Sequence, residues 1–214
     1  AREETGFNFY NARGQLLAVL PYRDLKALAE TMARKLLGLG LHRGDRMLLI
    51  ADTTPEFVIA FIACQYAGVV PVPVSLPVGL GAKTGYVDQL ALQLAGSGAR
   101  AAMAAEGLGG FLAEAAEGAN LLRQGEPAAF DALPEASVDL QPLGPDERCY
   151  LQYSSGSTRF PLGVDVTQKA LMANILGMSS VGLDIRPEDR AISWLPFYHD
   201  MGLIGACLGS LYYA

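Results

Sequence analysis

An α/β fold with a mostly parallel sheet flanked by helices is predicted by three observations. First, helical apolar spacing and short uncharged strand-like runs alternate along the first half of the chain, separated by Gly- and Pro-marked turns. Second, the connections are short, as expected where helix and strand repeat and successive strands run parallel. Third, a chain of 214 residues, 51% hydrophobic and 18% charged, can bury a sizeable core.

The elements follow in order. Tyr22–Leu37 places Leu25, Leu28, Ala29, Met32, Leu36 and Leu37 at helical spacing, and Gly38 and Gly40 end the helix. Gly44-Asp45 turns into a buried strand, Arg46–Ala51. Thr54 is placed to cap a helix over Pro55–Ala67, with Pro55 at its first position and Glu56 in its first turn. Val69–Val74 reads as a second buried strand, Tyr86–Ala95 as a helix, and Ala99–Ala105 as a weak strand. From there to Gly125 the chain is Ala- and Gly-rich and helical in part, and Pro127–Arg148 reads as a surface connection. Cys149–Tyr153 and Val164–Val166 are strands around a turn. Thr167 caps a helix with Leu171, Met172, Ile175 and Leu176 inward, and Arg190–Trp194 is a further strand ending at Pro196.

Composition excludes some functions. A net charge of −6, with no basic run, argues against nucleic-acid binding. The stretch from Phe57 to Ala82 is uncharged, but Gly68, Pro71, Pro73 and Pro77 interrupt it, so no membrane span is expected. The charged start, Ala1-Arg-Glu-Glu, lacks a signal-peptide core, and the reading is cytoplasmic. Cys64, Cys149 and Cys207 are far apart and read as buried free thiols.

Two segments carry chemistry. Ser154, Ser155, Gly156, Ser157, Thr158 and Arg159 follow an apolar run, where hydroxyls, consecutive N–H groups and a glycine can surround phosphate oxygens. The same residues also suit an ordinary polar turn, and GxxxxGK[ST] occurs nowhere. His199 stands at a Pro-aromatic corner, entering Met201-Gly202-Leu203-Ile204-Gly205, a small and apolar stretch able to line a pocket. A lone histidine on such a segment is more often a hydrogen-bonded structural residue, with Trp194, Phe197 and Tyr198 as core. No metal site is expected, since His42 is the only other histidine and is far away. Gly79–Gly85 imitates a dinucleotide fingerprint, but its GxGxxxG spacing is wrong.

Four segments jointly resemble the adenylate-forming superfamily of acyl- and amino-acid-activating enzymes. They are Leu20–Leu25, Gly44–Ile50 with Ala67–Pro73, Ser154–Gly163 and Trp194–Gly205, in the family's order over nearly the whole chain. Gln152–Val164 and Ser193–Gly205 are most similar to fatty acyl-AMP ligases; Arg159 stands where the commoner loop has Gly, and Leu162 where it has Lys. The resemblance implies the N-terminal subdomain of the adenylate-forming fold, with residues 1–214 as the N-terminal portion of an AMP-binding domain. It implies ATP and Mg²⁺ as cofactors, with Ser154–Thr158 on the β- and γ-phosphates. It also implies His199 at the gate between nucleotide and acyl sites, and Met201, Gly202, Ile204 and Gly205 along the acyl entrance. The implied substrate is a fatty acid, and the implied partner is the phosphopantetheine arm of an acyl carrier protein in a polyketide or lipopeptide pathway. The family's adenine, ribose and Mg²⁺ motifs and its C-terminal domain do not occur in this sequence, so these residues alone are expected to be inactive. An acyl-CoA synthetase, an amino acid adenylation domain and a non-catalytic binding fragment remain the alternatives.

Overall fold

The computed structural model describes residues 5–77, 83–153, 162–186 and 188–213. The chain opens with a hairpin that the sequence reading had not assigned, β1 (Gly6–Tyr10) and β2 (Leu16–Pro21), paired antiparallel. Its turn is local chemistry: Asn11 Oδ1 accepts from Arg13 N at 2.9 Å and Gln15 N at 3.0 Å, while Gly14 takes φ 74°. Helix α1 (Tyr22–Gly38) follows directly, burying Leu25, Ala29, Met32, Ala33 and Leu36. Leu28, expected on the inner face, is 45% exposed, because the buried stripe follows the i, i+4, i+7 line through Leu25, Ala29 and Met32.

The central sheet is parallel. Strands β3 (Arg46–Ile50), β4 (Val70–Val74), β5 (Ala101–Met103) and β6 (Arg123–Gly125) lie in the order β4-β3-β5-β6. Alternation along β3 divides the core. Met47 and Leu49 face α1 and α2 (Pro55–Ala67), whereas Leu48 and Ile50 face α3 (Lys83–Ser97) and α4 (Gly109–Ala115). Helix α2 starts as expected: Thr54 Oγ1 accepts from Phe57 N at 3.4 Å and Pro55 occupies the first turn. It ends at Gly68, whose φ of 72° and N–H to the Cys64 carbonyl form a left-handed cap.

Two elements depart from expectation. In the stretch to Gly125 expected to be helical in part, β6 pairs parallel with β5, and within the expected surface connection a short helix, α5 (Pro127–Asp131), buries Phe130 completely. Both are too short to show a period, and it is tertiary pairing that makes them. The rest of the connection is tied down by Arg43. Its guanidinium pairs with Glu147 through Nε at 2.7 Å and again through Nη2, and also donates to the carbonyls of Gln141 at 2.7 Å and Pro142 at 3.1 Å. Glu147 also accepts from Gly144 N at 2.6 Å.

β7 (Arg148–Tyr153) and β8 (Gly163–Thr167) form an antiparallel pair with β7 alongside β4. Val70 N and the Val74 carbonyl face the β3 side, bonding Asp45 O and Ala51 N. Pro71 and Pro73 therefore turn their donor-less nitrogens toward the opposite edge, and β7 makes no ladder with β4. Thr167 caps α6 (Gln168–Leu176) by accepting from Ala170 N at 3.2 Å. Leu171 and Ile175 are buried as expected, but Leu176 is 43% exposed. A π-helical turn spans Gly177–Gly182, a π-helix spans Met201–Leu208, and α7 (Gly209–Tyr212) closes the chain. The expected strand Arg190–Trp194 is absent. Those residues run without regular structure, Ile192 is 94% and Trp194 90% exposed, and no described strand lies beside them to pair with. Among the described residues, no helix is long and apolar enough to cross a membrane.

Candidate functional site

Ser154, Ser155, Gly156, Ser157, Thr158 and Arg159 lie outside the described residues, as does most of Gly79–Gly85. What is described is the strand that leads to Ser154 and the corner that carries His199. β7 alternates across the two layers. Tyr150 is buried with its ring 5.9 Å from Phe61, while Leu151 and Tyr153 pack toward α3. Burial, reinforced by Cys149 and Asp200, pushes the Tyr150 hydroxyl well above its ordinary range, so it stays neutral. Tyr153 Oη donates to the Gln93 carbonyl at 3.1 Å.

The corner is built around Pro196. Leu195 N donates to Ser193 Oγ at 3.1 Å, and His199 N donates to the Pro196 carbonyl at 3.2 Å. Phe197 is buried, its ring 5.7 Å from Phe57 on α2, so the core reading fits Phe197 and fails for the exposed Trp194. The imidazole of His199 lies with Nδ1 2.6 Å from Asp200 Oδ1, both side chains half-exposed. Met201 N donates to the same carboxylate oxygen at 2.8 Å, so Asp200 both caps the π-helix and orients the ring. With Nδ1 committed, Nε2 is the nitrogen left for chemistry.

The four expected pocket residues do not share one face. Met201 is 62% exposed and Gly205 is also exposed, Ile204 is half-buried against the core, and Gly202 is buried. Gly202 is small for a reason other than leaving room for a ligand: a Cβ there would lie 2.2 Å from the Pro196 carbonyl oxygen and 2.9 Å from that of Leu195. At Gly205 a Cβ would meet nothing within 4 Å. Two cavities lie elsewhere. An open apolar groove of about 460 Å³ is lined by Leu143, Met172 and Leu176 among others. A hollow of about 240 Å³ lies at the carboxyl ends of β3, β5 and β6.

Sequence reasoning missed Gln152. Its Nε2 donates to the carbonyls of Tyr198, at 2.8 Å, and Tyr153, at 3.2 Å, joining β7 to the residue before His199. Two acceptors facing one nitrogen fix the amide orientation and leave Gln152 Oε1 buried without a hydrogen-bond partner among the described residues. Such an orphan costs about 1–3 kcal/mol. A glutamine in an apolar strand gives no signal of where its amide reaches.

The family model described as "AMP-binding enzyme" matches residues 17–214. A Caulobacter vibrioides protein named as an acyl-CoA synthetase is 46% identical over 211 residues, covering 99% of this chain and 36% of the relative. A long-chain-fatty-acid–AMP ligase of Mycolicibacterium smegmatis is 36% identical over 179 residues, covering 78% of this chain and 26% of the relative. A solved structure from a study of fatty acyl-adenylate ligases of E. coli and L. pneumophila superposes with a TM-score of 0.91 at 47% identity, covering 95% of this chain and 37% of that one. The chain thus spans between about a quarter and just over a third of the length of these relatives.

Proposed function

Since the chain belongs to the AMP-binding enzymes, we propose that it is the N-terminal part of a ligase that activates a fatty acid as its acyl-adenylate. The observation that carries this reading is the corner at Pro196, which holds His199 beside the end of β7 through the Gln152–Tyr198 bond. In the reaction a carboxylate oxygen of the fatty acid attacks the α-phosphorus of ATP. The bond from that phosphorus to the bridging oxygen of the leaving group breaks, and pyrophosphate departs with both electrons. Residues 154–158 would hold the β- and γ-phosphates, with Arg159 adding positive charge, so that catalysis rests on positioning and charge stabilisation.

His199 Nε2 would lie beside the reacting carboxylate. Met201, Ile204 and Gly205 would follow the first carbons of the acyl chain, each buried methylene contributing about 0.8 kcal/mol. Gly202 would shape the corner and not the tunnel. Mg²⁺ would supply charge neutralisation on the triphosphate. Among the described residues no group of three or more His, Cys, Asp or Glu is placed to hold it. The adenylate, a mixed anhydride, would then pass its acyl group to the phosphopantetheine thiol of an acyl carrier protein. The name of the Caulobacter relative favours a second reading, in which coenzyme A is the acceptor.

The test is pyrophosphate release and acyl-hydroxamate formation by the full-length gene product, with fatty acids of graded length and with carrier protein and coenzyme A as competing acceptors. Carrier-protein loading without a coenzyme A thioester is the expected result. A coenzyme A thioester would establish the second reading, and no adenylate with any fatty acid would refute both. Thr158→Ala should slow adenylation about ten- to a hundred-fold, the equivalent of one charge-assisted hydrogen bond. Residues 1–214 alone should show no turnover.

A further inference from the structure

The geometry of Gln152 in the candidate site is not explained by folding alone. Gln152 reaches across from the last turn of the β7 pleat to the Tyr198 carbonyl, a residue 46 positions away in sequence. Its second amide proton goes to the neighbouring Tyr153 carbonyl. Both donors are therefore spent on backbone, and the carbonyl end, Oε1, is left buried and, among the described residues, unpartnered. A leucine or methionine would fill the same space without an orphaned oxygen, so packing alone does not call for glutamine here. What the amide achieves is to fix one peptide, that between Tyr198 and His199.

The corner needs such a tie. On its far side it is anchored by Phe197 against Phe57 and by the close approach of Gly202 to Pro196. On the side of the imidazole, Tyr198 is only partly buried and His199 and Asp200 are exposed. Among the described residues, Gln152 links this outer half of the corner to the sheet. Tyr153 in turn fastens the strand end to α3, so the tie ends on a fixed point.

We propose that Gln152 is a positioning residue for adenylation: its amide fixes the Tyr198–His199 peptide, and with it the imidazole, against the carboxyl end of β7. This rests on the adenylation reading above, with His199 beside the reacting carboxylate. Gln152 itself touches no reacting atom, and it acts by narrowing the range of positions His199 can occupy. An error of about 1 Å in such a group can cost a hundred-fold in rate.

Two variants of the full-length gene product test this. Gln152→Leu keeps the volume and removes both donors; it should lower kcat at least ten-fold while leaving KM for ATP within about two-fold. Gln152→Glu adds a pH signature. As a carboxylate it meets the Tyr198 carbonyl with no proton to donate, whereas its protonated form can donate. Its activity relative to wild type should therefore rise as pH falls from about 8 towards 5, through the range of a partly buried carboxyl group. A role in folding alone would give a flat ratio.

A third readout does not depend on turnover. Residues 1–214 contain two histidines, and in the spectrum of the full-length gene product their imidazole signals are assigned by their loss in His42→Gln and His199→Gln variants. In Gln152→Leu the His199 signals should shift and broaden while those of His42 stay in place. If Gln152→Leu fails to fold, the pH ratio of Gln152→Glu decides. Unchanged kcat in Gln152→Leu, a flat pH ratio in Gln152→Glu, or unmoved His199 signals would each overturn the proposal. A wild-type protein that forms no adenylate would instead refute the adenylation reading, and the histidine spectrum would still report whether the tie exists.

Discussion

Gly202→Ala is the substitution whose outcome the structure constrains most tightly. Its Cβ would stand 2.2 Å from the Pro196 carbonyl oxygen, 2.8 Å from the Pro196 carbonyl carbon and 2.9 Å from the Leu195 carbonyl oxygen. All three are backbone atoms, so no rotamer change can relieve the contact. Restoring an ordinary separation requires the π-helix and the corner to part by roughly 1 Å. Overpacking of this kind costs about 1–3 kcal/mol, with backbone contacts at the upper end. Replacing glycine by alanine within a helix returns up to about 1 kcal/mol. The net loss is about 2 kcal/mol, which in a chain of this length lowers Tm by about 4–8 °C.

Gly205→Ala is the control in the same helix, because its Cβ meets nothing within 4 Å. It should melt at or slightly above wild type, following the propensity gain alone. Thermal unfolding followed by circular dichroism and by calorimetry measures both. A Gly202→Ala protein melting with wild type would refute the close approach. It would also return Gly202 to the role the sequence suggested, a small residue leaving room for a ligand.

Three further outcomes follow from the same geometry. Gly205→Trp should penalise long fatty acids more than short ones in the full-length gene product, read as kcat/KM against chain length; an equal loss at every length would remove Gly205 from the acyl path. Burial pushes the Cys149 and Cys207 thiols up to about 12 and that of Cys64 higher still, so a thiol reagent at pH 8 should label none of them until the protein is denatured. The unfolded thiols ionise first, near 8.5, so the unfolded state binds fewer protons above that pH. Stability should therefore fall as pH rises from about 9 to 12, by roughly 1 kcal/mol per pH unit for each thiol at most. The Arg43 guanidinium and the Gly144 N–H hold the Glu147 carboxyl below its ordinary range, so its contribution is present above about pH 4.5 and is lost as pH falls through the lowered value. Glu147→Gln should speed hydrogen exchange of the Leu143 amide, which bonds the Gln65 carbonyl at 3.1 Å, and an unchanged rate would show that the Arg43 clamp does not hold this connection.

Much of the fold was legible because its signals are local. Thr54-Pro55-Glu56 and Gly68 delimit α2 to the residue, since capping hydroxyl, proline and left-handed glycine each act within one turn. Strands β3 and β4 were found because Met47–Ile50 and Val70–Val74 are uncharged runs buried on both faces. β6 and α5 were not found, because three and five residues carry no periodicity and Phe130 is buried by what surrounds it. Arg190–Trp194 failed in the opposite direction. Its residues favour a strand, but propensity cannot supply a neighbour. At the candidate site, the sequence singled out His199 and the small-residue stretch after it, which the structure places at the Pro196 corner and in the π-helix that follows. The different reasons for smallness at Gly202 and Gly205 were not legible, since only coordinates separate a backbone contact from open space.

The prolines of β4 give the Gln152 tie its structural context. With Val70 and Val74 bonded toward β3, Pro71 and Pro73 remove the donors that would let β7 continue the parallel sheet. A strand alongside that edge has no ladder to set its register. Its position is set instead by side chains reaching to backbone: Gln65 Nε2 to the Cys149 carbonyl at 2.7 Å, Tyr153 Oη to Gln93 at 3.1 Å, and Gln152 Nε2 to Tyr198 at 2.8 Å. Each bond places one residue of β7 against a different element: α2, α3 and the corner of His199. A ladder would fix the strand along one direction against one neighbour. Three separate anchors fix it against three elements that meet at the candidate site, and the loss of any one should be felt locally and not along the whole strand.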